Sequence, residues 1–453
     1  MSQEEATLES LAASIVERAT KAGADVAEVR AGSGWELTVR VRLGEPELVQ
    51  EAGHRSVSMR VMKGGRVALT STSDLTERGI SRLVSDALEL VELAEVDPFA
   101  GPAPKELLSK PPYPDLDLYD PKVEDIDAGR ALEIAKEAER AALDSDPRLT
   151  LSEGGSFSRV TGTSALVLSS GFSGVTRGSY ASLVVSPVVV DAGDKRRRGH
   201  YWTARRHFAD LESPAAVGRE AARRTLRQLG PRKVQTCEAP VVFSQDAARS
   251  ILGTFAGCIL GGSVWRKSSY LAEREGSAVA SPLVNIVDDP FVVRGPGSRA
   301  FDGEGLLSRK NVVVERGVLR TFLLDSYAGR KLGRSSTASA ARSGGSVSAS
   351  TTNFILAAGT TSHDEIVRDT PRGLYVTDMM GFGFNAVTGD FSRGASGFWI
   401  ENGELAYPVS ELTISSNLDA MLKGIDRVGS DLDLKTSTAS PTVRVASMTI
   451  AGT

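Results

Sequence analysis

Val57-Ser-Met-Arg-Val-Met62-Lys-Gly64-Gly65-Arg66-Val67-Ala-Leu-Thr70 decides how the first part of this chain folds. Apolar residues recur on both sides of Gly64-Gly65, and a Gly-Gly pair between two such runs is a two-residue hairpin turn. Working outward, residues 35–42 alternate in the same way, with Trp35, Leu37, Val39 and Val41 on one face. Ahead of them Leu8, Leu11, Ala12, Ile15, Val16 and Ala19 recur at three-four spacing, the pattern of a helix, and Gly23 stands where a C-cap would. Behind the hairpin, Ile80, Leu83, Val84, Ala87, Leu88 and Val91 predict a second amphipathic helix over 75–93. Helices flanking strands in this way predict a small α/β layer.

Between Pro98 and Pro121 lie seven of the chain's 19 prolines. Proline removes backbone donors and fixes φ, so this stretch is an expected extended connector. A helix over 127–143, β-like runs over 157–168 and 181–190, and a helix over 214–229 are expected next. A short buried strand at 241–243 then leads into an apolar, glycine-containing helix over 245–260. Short β segments separated by Gly, Asp and Asn follow. Residues 333–352 are nearly all small, with no acid. They are either a mobile loop or a segment packed closely against another backbone. The expected fold class is α+β, an N-terminal α/β region followed by a β-rich C-terminal domain with a few helices. The expected units are 1–97, a connector at 98–121, a central α/β region at 122–235 and the β-rich domain at 236–453.

Composition removes several classes of function. Charged residues balance to a formal net charge of −4, which argues against a dedicated nucleic-acid binder. Two cysteines, Cys237 and Cys258, exclude a disulfide scaffold and a four-cysteine zinc site. The acidic, polar N-terminus lacks the basic and apolar regions of a secretory signal. The longest apolar run, 183–190, contains Ser186 and Pro187 and is far short of the roughly 20 residues of a membrane helix. The chain is expected to be soluble and cytoplasmic, with no membrane and no nucleic-acid partner.

No self-contained active site stands out. The four histidines, His54, His200, His207 and His363, show no ligand spacing on a helix. Gly171-Phe-Ser173-Gly174 and Gly394-Ala-Ser396-Gly397 lack the spacing of a nucleophile elbow. Cys258 lies in an apolar helix, where a buried, inert thiol is expected, and Cys237 carries no signal. No phosphate-binding loop occurs; Arg294-Gly-Pro-Gly-Ser-Arg299 has glycines without the dinucleotide-binding spacing. Asp288, Asp289, Asp302 and Glu304 could form a hard-cation site, but turn and capping roles are commoner for Asp beside Gly and Pro. Residues 195–206 hold six basic residues with Tyr201 and Trp202, the pattern of a solvated face or a partner-binding patch.

The second half resembles the TldD/PmbA (TldE) family. The resemblance runs through Pro240-Val-Val-Phe243, Arg266-Lys-Ser-Ser269, Ile286-Val-Asp-Asp289-Pro290 and Phe301-Asp-Gly-Glu304-Gly305. It continues through Leu324-Asp-Ser-Tyr327, Leu332-Gly-Arg-Ser-Ser336, Thr351-Thr-Asn353 and Gly373-Leu-Tyr-Val376. It ends with Thr388-Gly-Asp-Phe391, Gly403-Glu-Leu-Ala-Tyr-Pro408 and Met448-Thr-Ile-Ala-Gly452. Each string is short, but their order over about 200 residues is specific, and the N-terminal half also fits.

The resemblance implies two subunit types. A TldD-like subunit carries His-Glu-x-x-x-His on the helix after the first strand, with a C-terminal Cys completing a zinc site. A PmbA/TldE-like subunit lacks that motif. Here Gly253, Thr254 and Cys258 would occupy the motif positions, and Lys435-Thr-Ser-Thr-Ala-Ser440 supplies no Cys. The implied function is that of a non-catalytic subunit with no cofactor of its own. Its partner would be a TldD-like zinc metalloprotease, and the pair would degrade or trim unfolded peptides inside a shared chamber. Gly381, Phe382, Gly383, Thr388, Gly389, Asp390 and Phe391 are the expected substrate-side segment, because glycine permits close backbone approach. Two other readings remain open: a stand-alone homodimeric peptide-binding or scaffold protein, and a hydrolase with an unrecognised Ser or Cys nucleophile.

Overall fold

The computed structural model describes residues 2–452. The N-terminal part carries α1 (Gln3–Lys21), β1 (Val26–Arg42), β2 (Glu45–Lys63), β3 (Arg66–Thr72) and α2 (Glu77–Leu93). After the proline-rich segment come α3 (Pro121–Glu124), α4 (Ala128–Leu143), β4 (Leu151–Leu168), β5 (Phe172–Val190), β6 (Arg196–Arg198), β7 (Tyr201–Arg205) and α5 (Pro214–Leu226). Strands from both sides of the connector share one antiparallel sheet, in the order β3-β2-β1-β4-β5-β6, with β7 also on β5.

The Gly64-Gly65 turn has positive φ at both glycines, 54° and 76°, as the tight hairpin requires. β1 is much longer than its alternating part. It pairs with β2 from Val26↔Met62 to Arg42↔Glu45, and with β4 from Glu28↔Leu168 to Val41↔Gly155. One face of this sheet is covered twice. α1 and α2 bury Ile15, Ala19, Leu83 and Val84 against Val29, Ala31, Met59 and Val61. α4 and α5 bury Ile134, Ala138, Val217 and Ala221 against Leu37, Val39, Phe157 and Leu183. Trp35 shares the parity of Leu37, Val39 and Val41 but stays half exposed, its ring lying across Gly53 in the gap between the two helix pairs.

The C-terminal part opens with β8 (Cys237–Phe243), α6 (Gln245–Ile259) and α7 (Gly261–Trp265). Next come β9 (Ile286–Asp288), β10 (Asn311–Glu315), β11 (Val318–Leu319), α8 (Ser326–Lys331), β12 (Ala340–Ser343), β13 (Ser346–Ala349) and β14 (Phe354–Leu356). It closes with α9 (His363–Arg368), β15 (Arg372–Met380), β16 (Asp390–Glu401), β17 (Glu404–Asn417), α10 (Leu418–Lys423), β18 (Ile425–Val428), β19 (Thr438–Ala439) and β20 (Val443–Ala451). The main sheet runs β17-β16-β15-β8-β20-β18, and β17 also pairs with β20, so the sheet closes on itself. Phe255 and Ile259 of α6 share its core with Phe243, Val376, Trp399 and Ile414. A smaller sheet, β11-β10-β9-β14-β19, lies beside it. The overall class is α+β.

The small-residue stretch 333–352 is the close-packed alternative. Its core is the β12–β13 hairpin, paired from Ala340↔Ala349 to Ser343↔Ser346. Small side chains are needed there: a Cβ on Gly303 would lie 3.0 Å from the Ala341 carbonyl carbon. From this hairpin Arg342 reaches the N-terminal sheet and donates to the Glu28 carboxylate at 2.5 Å, while Arg60 donates to the same oxygen at 3.2 Å. Glu28 is almost wholly buried. Burial by itself would raise its pKa, but Arg342 and Arg60 outweigh that and hold the carboxyl below its ordinary value.

Removing one member of such a pair leaves a buried charge, which costs about 3–5 kcal/mol. Arg342→Ala should therefore lower the unfolding free energy obtained from urea titration by an amount in that range, the lower end applying because Arg60 remains. The folded carboxyl titrates below its unfolded value. Its contribution is thus fully present above the ordinary carboxylate range and is lost as the pH falls through the folded value. Acid unfolding of Arg342→Ala should start at a higher pH than that of the parent.

Candidate functional site

The sequence-predicted motif positions all lie on α6, and its local chemistry is clear. Ser244 caps the helix, accepting from the Ala247 amide at 3.4 Å. One face, with Ala247, Ala248, Ile251, Leu252 and Phe255, is buried. Gly253 and Gly257 lie on the opposite, exposed face, and a Cβ at either would meet nothing within 4 Å. Thr254 donates back to the Ser250 carbonyl at 3.0 Å. Cys258 is 1% exposed, its thiol aimed at the Thr254 carbonyl at 3.5 Å, and burial pushes its pKa up to about 11. Glycine has no ligand atom, threonine supplies no carboxylate, and a protonated buried thiol is a poor donor, so this set does not fit zinc. Among the described residues no group of three or more His, Cys, Asp or Glu side chains could hold a metal ion.

The acidic set binds backbone instead. Asp302 accepts from the amides of Glu304, Leu306 and Ala340 at 2.8–3.1 Å. Glu304 accepts from the Ser326 amide at 2.9 Å and Asp288 from the Thr352 amide at 2.6 Å. Asp289 caps the Phe291 amide and pairs with Lys310. Burial pushes Glu304 up to about 7 and Asp288 up to about 6. These are turn and capping roles.

The 381–391 segment is the turn joining β15 to β16. Gly381 has φ of 80° and Phe382 is fully exposed. Gly383 lies against β16, its carbonyl accepting from the Ser392 amide at 2.7 Å. Thr388 donates to Asp390 at 2.6 Å, and Gly389, with φ of 81°, receives the Leu418 amide on its carbonyl. Phe391 is in the core. The turn thus brings Gly381–Gly383 and Thr388–Phe391 side by side.

The large concavity lies next to this turn. A cavity of about 690 Å³ is bounded by the first turn of α6, by β15 to β17, by α5 and by the strands of the basic run. Six arginines line it: Arg197, Arg198, Arg223, Arg224, Arg227 and Arg249. His200, Trp202, His363 and Tyr375 are also in its wall, and Asp246, Asp378 and Asp431 are its carboxylates. Five of the arginines have acidic partners: Asp191, Glu153, Glu220 (twice) and Asp246. Arg227 has none among the described residues; it stacks on the Phe398 ring at 4.4 Å.

One side of the cavity is a free strand edge. β15 pairs in parallel with β8 only from Leu374↔Val241 to Val376↔Phe243. Ser244 then donates to the Val376 carbonyl at 3.0 Å and the chain turns into α6. Asp378, Met379 and Met380 continue β15 with β16 on one edge and, among the described residues, no strand on the other. Sequence reasoning missed this edge and four of the arginines. The cluster Arg223-Arg224-Thr-Leu-Arg227 was a usable signal, while the edge is visible only in the pairing.

Three consecutive stretches match known domains: PmbA/TldA metallopeptidase domain 1 over 27–91, its central domain over 121–229 and its C-terminal domain over 236–452. The chain belongs to the PmbA/TldD metallopeptidase family. It is 38% identical over 433 residues to metalloprotease PmbA of Escherichia coli O157:H7, covering 94% of this chain and 92% of that one. It is 39% identical over 437 residues to a metalloprotease PmbA homolog of Haemophilus influenzae, covering 96% and 94%. Haemophilus influenzae also has a metalloprotease TldD homolog, 29% identical over 262 residues, which is 54% of each chain. The fold matches the crystal structure of TldE from Thermococcus kodakarensis with a TM-score of 0.85, at 19% identity, over 98% of this chain and 100% of that one. No helix among the described residues of this PmbA/TldD-family chain is long and apolar enough to cross a membrane.

Two outcomes follow from α6. Native protein treated with a maleimide at pH 8 should be modified at Cys237 and spared at Cys258, as peptide mass mapping would show. Gly253→Ala should raise stability by about 0.5–1 kcal/mol, because the methyl enters open space and alanine loses less backbone entropy in a helix.

Proposed function

We propose that this chain is the non-catalytic, PmbA/TldE-like subunit of a two-subunit TldD/TldE-type zinc peptidase acting on unfolded peptides. The observation that carries the reading is on α6. The positions that the family resemblance assigns to the metal motif hold Gly253, Thr254 and a buried, protonated Cys258. The zinc then belongs to a TldD-like partner, a reading supported by the presence of both PmbA and TldD homologs in Haemophilus influenzae. This chain's own part is to wall the chamber and to hold substrate. The free edge of β15 supports that part, since an extended peptide can add to it as a strand through backbone hydrogen bonds alone. The turn at 381–391, joined directly to that edge, would border the peptide's path. At about 690 Å³ the cavity has room for a short stretch of extended chain and none for a folded domain. Cytoplasmic action on unfolded polypeptide completes the reading.

The test is a mixing assay with an unstructured casein or short peptide substrate. The chain alone should give no hydrolysis. An equimolar mixture with a TldD homolog bearing His-Glu-x-x-x-His should hydrolyse the substrate, and a chelator should abolish the activity. Chelator-insensitive hydrolysis by the pure chain would overturn the reading, as would full activity of the TldD homolog without this chain.

A further inference from the structure

We propose that the arginine-lined cavity selects the acidic stretch of an extended peptide, so that substrate is chosen here by charge. This rests on the peptide-handling reading above and adds the substrate class to it. The geometry begins with the free edge at Asp378, Met379 and Met380. A chain paired there would present its side chains alternately to the two faces of the sheet. Sharing the cavity wall with this edge are Arg223 in the last turn of α5 and Arg227, the residue that caps its C-terminus one turn on.

Charge bookkeeping singles out Arg227. Its neighbours are already matched: Glu220 takes Arg223 and Arg224 at 2.7 and 2.8 Å, and Asp246 takes Arg249 at 3.2 Å. Among the described residues Arg227 makes no salt bridge; it lies over the Phe398 ring, with Arg223 and Arg224 as well as Glu220 and Tyr375 acting on its charge. Burial first and Arg223 next depress its pKa, against a smaller opposing pull from Tyr375 and Glu220. With Glu220 already bonded to Arg223 and Arg224, the Arg227 guanidinium keeps donors for a ligand, and a planar carboxylate matches its fork. The Nε of Arg249 is buried with no hydrogen-bond partner among the described residues, a second unused donor in the same wall. The N-terminus of the 15-residue α6 adds partial positive charge at the cavity's end.

The three carboxylates of the wall decide between two kinds of anion. Asp431 is tied to the Thr442 amide and hydroxyl at 2.9 and 2.7 Å, Asp246 is paired, and Asp378 stands at the free edge. They would repel the continuous charge of a nucleic acid. A peptide can place spaced carboxylates opposite the arginines and a neutral residue or a lysine opposite Asp378.

The test is fluorescence anisotropy of the whole chain with labelled, unstructured peptides of one backbone pattern carrying Glu, Gln or Lys at alternate positions. A charge-assisted pair to a guanidinium makes the Glu peptide bind about tenfold or more tighter than its Gln isostere at low salt. The advantage should shrink as salt rises. It should vanish in Arg227→Gln and survive only in part in Arg227→Lys, which keeps the charge and loses the fork. Equal binding of Glu and Gln peptides would overturn charge selection and leave the peptide reading standing. No binding of any peptide would overturn both. Displacement of the Glu peptide by an oligothymidylate that binds tighter would assign the cavity to nucleic acid and overturn the proposal. The parental comparison of Glu with Gln decides the matter even if a variant does not fold.

Discussion

The parallel pairing of β8 with β15 lasts three residues and then stops, and the site depends on that stop. β8 could continue only if the chain after Phe243 stayed extended. Ser244 instead ends the strand and caps a helix, its amide still bonding to the Val376 carbonyl while its hydroxyl accepts from α6. One residue therefore does two jobs. It opens an edge of β15 and it aims a helix N-terminus at the space beyond. Closure of the sheet through β17 and β20 fixes the other side of that space, so the cavity is built on packed strands rather than on loops.

The wall opposite comes from the other half of the molecule. α5 belongs to the first sheet's helical layer, where Val217 and Ala221 lock it against Phe157 and Leu183. Its arginines are thus held by one core while the strand edge is held by another. The relation between the cores is set by contacts such as Arg342 with Glu28, in which a hairpin of the second part reaches a buried carboxylate of the first. Arg205 with Asp433, at 2.9 Å, is a further link close to the cavity. Shifting one half against the other would change the width of the cavity, so a buried ion pair far from any chemistry bears on the site.

Much of the fold was legible because the residues that build it are local. Gly64-Gly65 dictates a hairpin turn, and three-four spacing dictates α1, α2 and α4. The long strands were legible only in part. In β1 the stretch Ala31-Gly-Ser-Gly34 carries no β signal of its own; it is a strand because β2 and β4 flank it and supply the ladder. Residues 172–180 of β5, rich in Ser and Gly, are extended for the same reason. Within 333–352 the lack of large side chains leaves a mobile loop and a close-packed segment both readable, and the β12–β13 hairpin shows the second. The site was the least legible part. The helix carrying Gly253, Thr254 and Cys258 was readable from periodicity, and the turn at 381–391 from its glycines. The cavity joins residues near 200, 225, 245, 378 and 398, and no local pattern encodes that meeting.

Native mass spectrometry of the chain, isolated together with whatever it holds in its own cells and analysed for metal, tests the central claim most directly. The account predicts a metal-free chain in a one-to-one complex with a second subunit that carries one zinc ion. A stoichiometric zinc ion on this chain itself, retained when it is separated from every other subunit, would contradict it.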